Sequence, residues 1–247
     1  MPPENPVDIL AIAAHRDDVE QTCGGTLLAM QARGWRTAIL DLTRGESGTR
    51  GTAQEREAEA NEAARILKVT TREALDLPDG NVQNTLENRL KIAAVLRRLR
   101  PRVVILPYWQ GRHPDHYTCA TLGYEACFIS GLTKLEVPGA DPSHPLPPHR
   151  PYKLLYASLY ADVRPTFAVD ITPFMEQRFQ SLMAYRSQYA TQAQGGGLFV
   201  PEEDIRERTF ATARHYGLLA GVRYAEPFVQ KEIGLVDDLM MLPVASI

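Results

Sequence analysis

The sequence predicts an α/β fold in which a mostly parallel sheet carries helices on both faces, followed by a C-terminal hairpin and helices. Short, continuously apolar runs alternate along the chain with longer segments whose apolar residues recur at helical spacing. The apolar runs contain few polar positions, which is typical of strands that are covered on both faces. In such sheets the crossovers are right-handed, and ligands bind in the crevice beyond the carboxyl ends of the strands.

Four strands and three helices are predicted in the first part of the chain. The strands are Val7–Ala14, Thr37–Thr43, residues 73–78 (EALDLP) and Val103–Leu106, and the helices are Val19–Arg33, Glu55–Leu67 and Leu86–Leu99. Gly34 ends the first helix, and Pro101 closes the third. A polar, glycine-rich loop, RGESGTRGTAQ, leads into the second helix.

The second part of the chain adds helices and two further strands. A helix is predicted over Tyr117–Gly131, followed by a long, proline-rich surface loop at residues 137–151. KLLYASLY (153–160) and PTFAVDI (165–171) resemble two strands that form a hairpin. Helices are expected over Pro173–Tyr189 and Glu202–Tyr216, with the flexible TQAQGGG between them. No repeat or linker interrupts the pattern, so one domain is expected over residues 1–247.

Composition indicates a cytoplasmic, soluble protein whose partner is a small polar ligand or another protein. The formal net charge is −3, so no basic surface favours a nucleic-acid partner. The N-terminus lacks a basic segment followed by an apolar stretch, and no run approaches the roughly 20 apolar residues that cross a bilayer. We therefore expect neither a secretory signal nor a membrane-spanning segment. Cys23, Cys119 and Cys127 lack any C-x-x-C spacing and are expected to be small buried side chains.

Two predicted strands end in histidine and aspartate, in ILAIAAHRDD near the N-terminus and in VVILPYWQGRHPDH further along. His15 and Asp18 are three residues apart where a strand turns into a helix, and His113 and His116 have the same spacing before another helix. Such pairs at a helix start can point at one centre. Two histidines and a carboxylate with an open fourth position form a known catalytic zinc site, where zinc lowers the pKa of its bound water to about 7. One carboxylate would remain as a general base and one imidazole as an acid or oxyanion partner.

Each motif has a simpler explanation when it is taken alone. A histidine at a strand end is usually a satisfied surface or core residue, and two aspartates before a helix are usually an N-cap pair. Their joint occurrence at two carboxyl strand ends of one sheet favours the metal site. Imidazole and carboxylate also suit iron, nickel or manganese. The other histidines, His144, His149 and His215, have no partner pattern and are expected on loops or at the surface.

A nucleotide-binding site is a second interpretation of the first turn. CGG follows the first strand, and Asp41 ends the second, where a ribose-binding acid lies in dinucleotide folds. However, G-x-G-x-x-G is absent, and two acids occupy the turn where a pyrophosphate needs bare N–H groups. The metal site is the favoured interpretation.

AHRDDVE and HPDH, together with LTRGESGTRGT, SQY and YAEPF, resemble the motifs of the LmbE-like or PIG-L family of zinc-dependent N-acetylglucosaminyl deacetylases. The family pattern is A-H-P-D-D-x-E after the first strand and H-P-D-H after a later one, and the resemblance runs from about Val7 to Phe228. It implies a Rossmann-like fold and hydrolysis of the acetamide of a sugar conjugate. GESGTRGT and YAEPF are most similar to the branch that deacetylates N-acetylglucosaminyl-malate in bacillithiol biosynthesis.

The resemblance implies a role for each position that matches the family motifs. It implies that His15, Asp18 and His116 bind one zinc ion per chain, for which intracellular Fe²⁺ would compete. Asp17 would be the general base. His113 would stabilise the oxyanion or protonate the leaving amine, and Asp115 would orient His113.

Four further residues are candidates for substrate binding. Arg56 matches a sugar-binding arginine of the family, and Arg112 would meet a carboxylate of the aglycone through its bidentate guanidinium. Glu46 and Arg50 are also candidates, although a solvated loop explains them equally well. The resemblance also implies a homo-oligomer, with a hexamer as one arrangement and the YAEPF region as a contact.

One position departs from the family pattern, because Arg16 replaces the proline of the first motif. Arg16 would then add positive charge at the mouth of the site. Two other functions remain open: deacetylation of another N-acetylglucosaminyl compound, of the chitobiose or mycothiol type, and non-catalytic binding of metal or sugar. Asp17 and His113 argue against the second, because a pure binding protein needs neither.

Overall fold

Seven strands form one sheet in the computed structural model, which describes residues 6–137, 146–158, 161–189 and 202–242. The strands are β1 (Ile9–Ala13), β2 (Thr37–Asp41), β3 (Thr71–Ala74), β4 (Val103–Pro107), β5 (Lys153–Ala157), β6 (Phe167–Asp170) and β7 (Ala225–Val229). The helices are α1 (Asp18–Thr22), α2 (Gly24–Gln31), α3 (Ala53–Leu67), α4 (Leu86–Leu99), α5 (Pro114–Ile129), α6 (Met175–Met183), α7 (Arg186–Tyr189) and α8 (Glu202–Leu219).

The strand order in the sheet is β3-β2-β1-β4-β5-β7-β6. The strands from β3 to β5 are parallel, whereas β7 runs antiparallel to both of its neighbours. The predicted α/β fold with a mostly parallel sheet is confirmed. β2 and β4 lie on opposite sides of β1, so the chain order reverses there, and a ligand crevice is expected at the carboxyl ends of β1 and β4.

Both faces of the sheet are buried, as the apolar runs predict. On one face, Leu10 and Ile12 of β1 pack with side chains of α4 and α5. On the other face, Ile9 and Ala11 pack with Leu27 of α2 and with neighbouring strands. Successive residues of a strand point to opposite faces, so β1 is apolar throughout.

The predicted hairpin between the last two strands is wrong. Both strands exist as β5 and β6, but β7 lies between them and pairs with each. β7 comes from YAEPF, and residues 225–228 are buried in the sheet instead of forming the expected oligomer contact. Because α6, α7 and α8 separate β6 from β7 along the chain, no local pattern shows that the two strands pair.

The first predicted helix, Val19–Arg33, is two helices that meet at Cys23. A buried ion pair lies at the break, where Arg178 Nε is 3.0 Å from Glu226 Oε1. The Glu226 carboxylate accepts the N–H groups of Gly25 and Thr26 in the first turn of α2. Arg178 donates to the carbonyl oxygens of Glu20 and Gln21 in the last turn of α1. An anion at a helix N-terminus and a cation at a C-terminus both stabilise, so the pair holds the two short helices in place.

Two element boundaries differ from the prediction in ways that affect the site. β3 covers Thr71–Ala74 instead of 73–78, so LPDG after it is a loop. α5 begins at Pro114 instead of Tyr117, because His113 is its N-cap and proline suits the first position of a helix. The HPDH motif is therefore the first turn of α5.

The three cysteines and two of the remaining histidines lie in the described part of the chain. Cys23, Cys119 and Cys127 are buried and form no disulfide, as expected. His149 lies in a loop but is buried, whereas His215 is exposed on α8. His144, most of the proline-rich loop and TQAQGGG lie outside the described residues. Within the part of the chain that the structure describes, no helix is long and apolar enough to cross a bilayer.

Candidate metal centre and active site

The two His/Asp motifs meet at the carboxyl ends of β1 and β4. His15 Nδ1 lies 3.2 Å from His116 Nε2 and 3.5 Å from Asp18 Oδ2, and His116 Nε2 lies 3.2 Å from Asp18 Oδ1. The side chains of these three residues are only 9–12% exposed. His113 adds a third imidazole, whose nitrogen lies within 4.8 Å of those of His15 and His116. The structure thus brings four of the predicted side chains to one centre.

The spacing of these atoms fits a tetrahedral metal ion. Metal–ligand bonds of about 2.0–2.1 Å place two ligands of a tetrahedron about 3.3 Å apart. The separations among His15, Asp18 and His116 are 3.2, 3.2 and 3.5 Å. Imidazole and carboxylate donors suit zinc and also iron. These three residues could therefore hold one ion with a fourth position left open.

The surroundings of His15 favour positive charge at this centre. Burial by itself would lower the pKa of His15, but contacts with Asp18 and Asp79 outweigh it and raise the pKa to about 11. Burial likewise acts to raise the pKa of Asp18, but His116 and His15 hold that pKa well below its ordinary value. A group of carboxylates that stabilises a cationic imidazole also suits a divalent cation.

Asp17 lies next to Asp18 and is the N-cap residue of α1. Its carboxylate accepts hydrogen bonds from the Tyr189 hydroxyl and from Gln21 Nε2 (3.1 Å), and its Oδ1 lies 3.9 Å from Arg56 Nη2. Two hydrogen-bond donors and one cationic neighbour therefore hold the Asp17 carboxylate in place beside the candidate ligands. Tyr189, on α7, was not a predicted site residue, although it ends the SQY motif.

His113 is held in one tautomer by the helix that it caps. Its Nδ1 accepts a hydrogen bond from the backbone N–H of Asp115 at 3.2 Å, so in the neutral ring the proton lies on Nε2. The ring packs edge-on against His15, with centroids 4.6 Å apart, and stacks on His116 at 5.1 Å. Burial and the two neighbouring imidazoles lower the pKa of His113, which favours the neutral ring. His113 can therefore donate a hydrogen bond from Nε2.

The prediction that the Asp115 carboxylate orients His113 is wrong. Asp115 Oδ2 lies 3.3 Å from His15 Nε2 and accepts the Gly80 N–H at 2.8 Å, while Oδ1 accepts the Val82 N–H at 3.1 Å. Only the backbone N–H of Asp115 contacts His113. The difference arises because α5 starts at Pro114, which turns the Asp115 side chain away from the cap and towards the loop after β3.

Asp79 was not among the predicted site residues. Its Oδ1 lies 3.1 Å from His15 Nε2, and its side chain is 8% exposed. A signal was present, because Asp79 follows β3, a third parallel strand whose carboxyl end faces the same crevice. The reasoning that selected the two His/Asp motifs applies equally to this position.

The two candidate arginines of the glycine-rich loop region lie near Asp17 and α7. Arg56 is 5% exposed, donates from Nη1 to Gly45 O at 2.9 Å, and reaches Asp17 with Nη2. Its buried Nε has no hydrogen-bond partner among the described residues. Arg50 contacts Gln188 through its Nη1 and through its carbonyl oxygen. Arg56 is thus placed between the loop and the candidate base.

Glu46 and Arg112 occupy the solvent side of the centre. Glu46 Oε1 accepts the Asp79 N–H at 2.8 Å, and Oε2 accepts the Arg44 N–H at 3.2 Å, so its carboxylate ties two loops together. Arg112 is exposed and directly precedes His113. Both side chains are exposed to solvent.

Arg16 does not lie at the mouth of the site, and that expectation is wrong. Its side chain is 5% exposed, and its Nη1 donates to Ala53 O at 3.3 Å. Together with Asp41 and Arg72 it lines a polar cavity of about 120 Å³ between β2, β3 and α3. The turn that carries His15 sends the next side chain to the opposite side of β1, away from the ligands.

A second cavity, of about 20 Å³, lies behind Asp18 and His116 and is lined mostly by apolar residues. A water molecule needs about 10–15 Å³ of such volume, so this space admits one water and no sugar.

Comparison with known proteins gives a family match and several relatives. The family model for PIG-L, GlcNAc-PI de-N-acetylase, matches residues 10–127, a span that contains both His/Asp motifs. The diacetylchitobiose deacetylase of Thermococcus kodakarensis is 31% identical over 235 residues, which cover 88% of this chain and 80% of that protein.

Two solved structures share nearly the whole fold. The conserved protein TT1542 from Thermus thermophilus is 40% identical with a TM-score of 0.82, and the match covers 94% of this chain and 98% of that one. The N,N'-diacetylchitobiose deacetylase from Pyrococcus horikoshii is 25% identical with a TM-score of 0.76, over 90% of this chain and 82% of that one. The motifs, the fold and these relatives together show that the chain belongs to the PIG-L family of de-N-acetylases.

Proposed function

We propose that this protein is a metal-dependent deacetylase that hydrolyses the acetamide of an N-acetylglucosamine conjugate to acetate and a free amine. The observation that carries the proposal is that Asp17 and His113 lie beside the three-ligand centre. A binding protein needs the ligands, but it needs neither a base nor an oxyanion donor. The relative from Thermococcus kodakarensis that bears the name diacetylchitobiose deacetylase supports the same chemistry.

His15, Asp18 and His116 would hold the ion, which we propose is zinc, with Fe²⁺ as a competitor inside cells. Zinc, when bound, polarises a carbonyl oxygen and lowers the pKa of water. The carboxylates around His15 keep the ligand set negative, and burial limits competition from solvent.

Asp17 acts as the general base. It takes one proton from the attacking water while the water oxygen bonds to the carbonyl carbon, and it returns that proton to the nitrogen as the C–N bond breaks. The products are acetic acid, which ionises, and the amine, so atoms and charge balance. Tyr189 and Gln21 hold the carboxylate in the orientation that this transfer needs.

His113 stabilises the carbonyl oxygen as it becomes negative. Because Nδ1 accepts the Asp115 N–H, the donor is Nε2–H, aimed by the cap of α5. A fixed donor of this kind costs no reorganisation when the charge develops. The neutral tautomer favours this role over protonation of the amine, for which an imidazolium would be the better acid.

The substrate that we propose is N-acetylglucosaminyl-malate. Arg112, which is exposed beside the second motif, is suited to a carboxylate of the malate through its guanidinium. Diacetylchitobiose is the second candidate, because relatives bear the name of that activity. The two aglycones differ in charge, so an arginine at the solvent side of the site distinguishes them.

A homo-oligomer remains a prediction. Several large apolar side chains are exposed on the single chain, which is typical of contact surfaces. They include Tyr124 and Phe128 on α5 and Ile233, Leu235 and Met240 after β7.

The first test of the proposed function is acetate release by zinc-loaded protein, with N-acetylglucosaminyl-malate, diacetylchitobiose and free N-acetylglucosamine side by side and a chelated control. Turnover of the malate conjugate alone, lost on chelation, is the expected result. Turnover of diacetylchitobiose alone would replace the substrate and keep the chemistry. Turnover of none, with metal demonstrably bound, would contradict the enzymatic proposal and favour non-catalytic binding.

Asp17→Asn separates catalysis from binding. We expect kcat to fall by about 10²–10⁴-fold, the usual contribution of a positioned general base, with zinc still bound. Asp237→Asn, at an exposed position after β7, is the matched control and should behave as the wild type. An Asp17→Asn variant that keeps wild-type kcat would eliminate Asp17 as the base.

A further inference from the structure

Two carboxylates lie close to the same ring nitrogen of His15, Nε2. Asp79 Oδ1 lies 3.1 Å and Asp115 Oδ2 lies 3.3 Å from His15 Nε2, on the opposite side of the ring from the nitrogen that faces Asp18 and His116. Nε2 can carry one hydrogen, which the two oxygens share. Both carboxylates are nearly buried, with exposed fractions of 8% for Asp79 and 2% for Asp115.

Asp79 is itself held firmly by the glycine-rich loop. Its Oδ2 accepts the Ser47 N–H at 2.9 Å, its own N–H donates to Glu46 Oε1 at 2.8 Å, and its carbonyl oxygen accepts the Ser47 hydroxyl at 2.9 Å. The same loop accepts a hydrogen bond from Arg56 at Gly45 O. Asp79 therefore connects a metal ligand to the loop that positions Arg56.

We infer that Asp79 is a positioning residue for His15, which orients the imidazole towards the metal and ties the glycine-rich loop to the metal centre. The inference rests on the proposed metal centre, which it deepens. A ligating histidine whose other ring nitrogen donates to a carboxylate is fixed in tautomer and orientation and binds metal more strongly. Here the fixing group comes from the loop after β3 and is shared with Asp115 from α5.

Asp79→Ala tests the inference through metal affinity, measured by competition with a chelator. We expect the affinity for zinc to fall by about 10–100-fold, the usual cost of losing such a partner. Asp79→Asn should lose less, because its amide oxygen can still accept the Nε2–H of His15. Asp76→Ala is the matched control: Asp76 lies three residues earlier, is 68% exposed and pairs with Arg44 on the same glycine-rich loop. It should keep wild-type affinity.

Two further readouts distinguish positioning from a general loss of structure. The visible spectrum of the Co²⁺-loaded protein should change in Asp79→Ala, because His15 is no longer held in one orientation, and should be unchanged in Asp76→Ala. Circular dichroism of the metal-free variants checks that each remains folded. If Asp79→Ala does not fold, Asp79→Asn is compared with Asp76→Ala instead: it should lose zinc affinity by less than Asp79→Ala would, but measurably more than the control, and an Asn variant with wild-type affinity and a wild-type Co²⁺ spectrum would then overturn the inference.

Two results would overturn the inference. One is an Asp79→Ala protein that is folded and has wild-type zinc affinity and a wild-type Co²⁺ spectrum. The other is a wild-type protein that binds two ions per chain and loses one of them in Asp79→Ala, because Asp79 would then be a ligand of a second cation. These readouts measure metal binding and folding, and none of them measures turnover. A failure of the proposed deacetylation would appear separately, as a protein that binds metal but releases no acetate.

Discussion

At the scale of single residues, the ring nitrogens of the histidines are distinguished by their partners. His15 turns Nδ1 to the other ligands and Nε2 to two carboxylates, whereas His113 accepts a backbone N–H at Nδ1 and keeps a donor at Nε2. Two residues of the same type, 4.6 Å apart between ring centroids, are therefore prepared for different roles. The residue type predicts which chemistry is available, and the hydrogen-bond partner decides which nitrogen performs it.

Substitution of Arg16 tests whether this side chain contributes to substrate binding or only to stability. Arg16→Met should leave KM unchanged, because the side chain points away from the ligands towards Ala53 O and the Asp41 side of the sheet. The free energy of unfolding should fall by about 1–3 kcal/mol, since the hydrogen bond to Ala53 O and the favourable charge beside the buried Asp41 are both lost. Steady-state kinetics and urea unfolding measure the two effects. A raised KM with unchanged stability would contradict this prediction and show that Arg16 contributes to substrate binding at the mouth of the site.

At the scale of elements, the candidate site lies at helix ends and loops, where backbone groups bond to side chains. His113 caps α5 with its ring, Asp17 precedes α1 and turns its carboxylate to Tyr189 and Gln21, and the Arg178–Glu226 pair stabilises the ends of α1 and α2 that meet at Cys23. The loops after β2 and β3 then hold each other through Glu46 and Asp79. Each element end is thus joined to a neighbour, and the short helix α1 presents Asp17 and Asp18 without needing to be stable alone.

Gly45 tests how the glycine-rich loop acts. Its φ is +72°, and a Cβ there would clash with Arg56 Nη1. Gly45→Ala should therefore displace Arg56 from its place beside Asp17 and lower kcat/KM by about 10–100-fold, as expected for misplaced active-site groups. The measurement is kcat/KM together with thermal unfolding.

Gly34→Ala is the control for that substitution. Gly34 also has a positive φ, of +86°, but a Cβ there meets no atom within 4 Å among the described residues. Both variants should lose about 1–2 kcal/mol of stability from backbone strain, but only Gly45→Ala should lose activity. Equal activity in the two variants would show that the contact between Gly45 and Arg56 is unimportant.

At the scale of the whole molecule, one buried histidine links distant segments. His149 Nε2 lies 2.7 Å from Pro101 O at the start of β4, and its backbone N–H donates to Ser130 O at the end of α5. The ring must be a donor at Nε2, which the neutral form can be. Burial lowers the pKa of His149, and Arg100 lowers it further, although the Pro101 carbonyl acts in the opposite direction.

His149 should therefore make stability depend on pH. The unfolded chain binds a proton at an ordinary histidine pKa of 6.5, and the folded chain does so only at lower pH. The contribution to stability is fully present above that ordinary value and is lost as pH falls through the lowered pKa. Urea unfolding across this range measures it, and His149→Gln, which can still donate to Pro101 O, should flatten the dependence.

The same substitution at His215, which is exposed on α8, is the matched control. His215→Gln should keep the pH dependence of the wild type. If His149→Gln also keeps it, the loss of stability in acid arises from other groups.

Much of the site could be predicted from sequence because its residues are close together along the chain. His15, Asp17 and Asp18 lie in one turn, and His113 and His116 lie in another, so spacing alone indicates that each set shares a centre. The partner of the Asp115 carboxylate could not be predicted, because it depends on where the loop after β3 packs. For the same reason the side of β1 on which Arg16 lies could not be predicted. Asp79, in contrast, follows a third parallel strand, so the reasoning that selects the two His/Asp motifs also applies to it.

Local patterns along the chain are sufficient to predict the α/β class, the order of most elements and the residue types at the candidate metal centre. A strand buried on both faces is a short continuous apolar run, whereas a helix buried on one face has apolar residues at helical spacing. Both patterns can be recognised within a short segment of the chain. Three features are visible only in the folded chain: β7 lies between β5 and β6, the helix predicted over Val19–Arg33 is broken at Cys23, and two carboxylates contact His15. These features depend on contacts between segments far apart in the chain, where the free energy of a hydrogen bond or ion pair is set by the group packed opposite and by its burial.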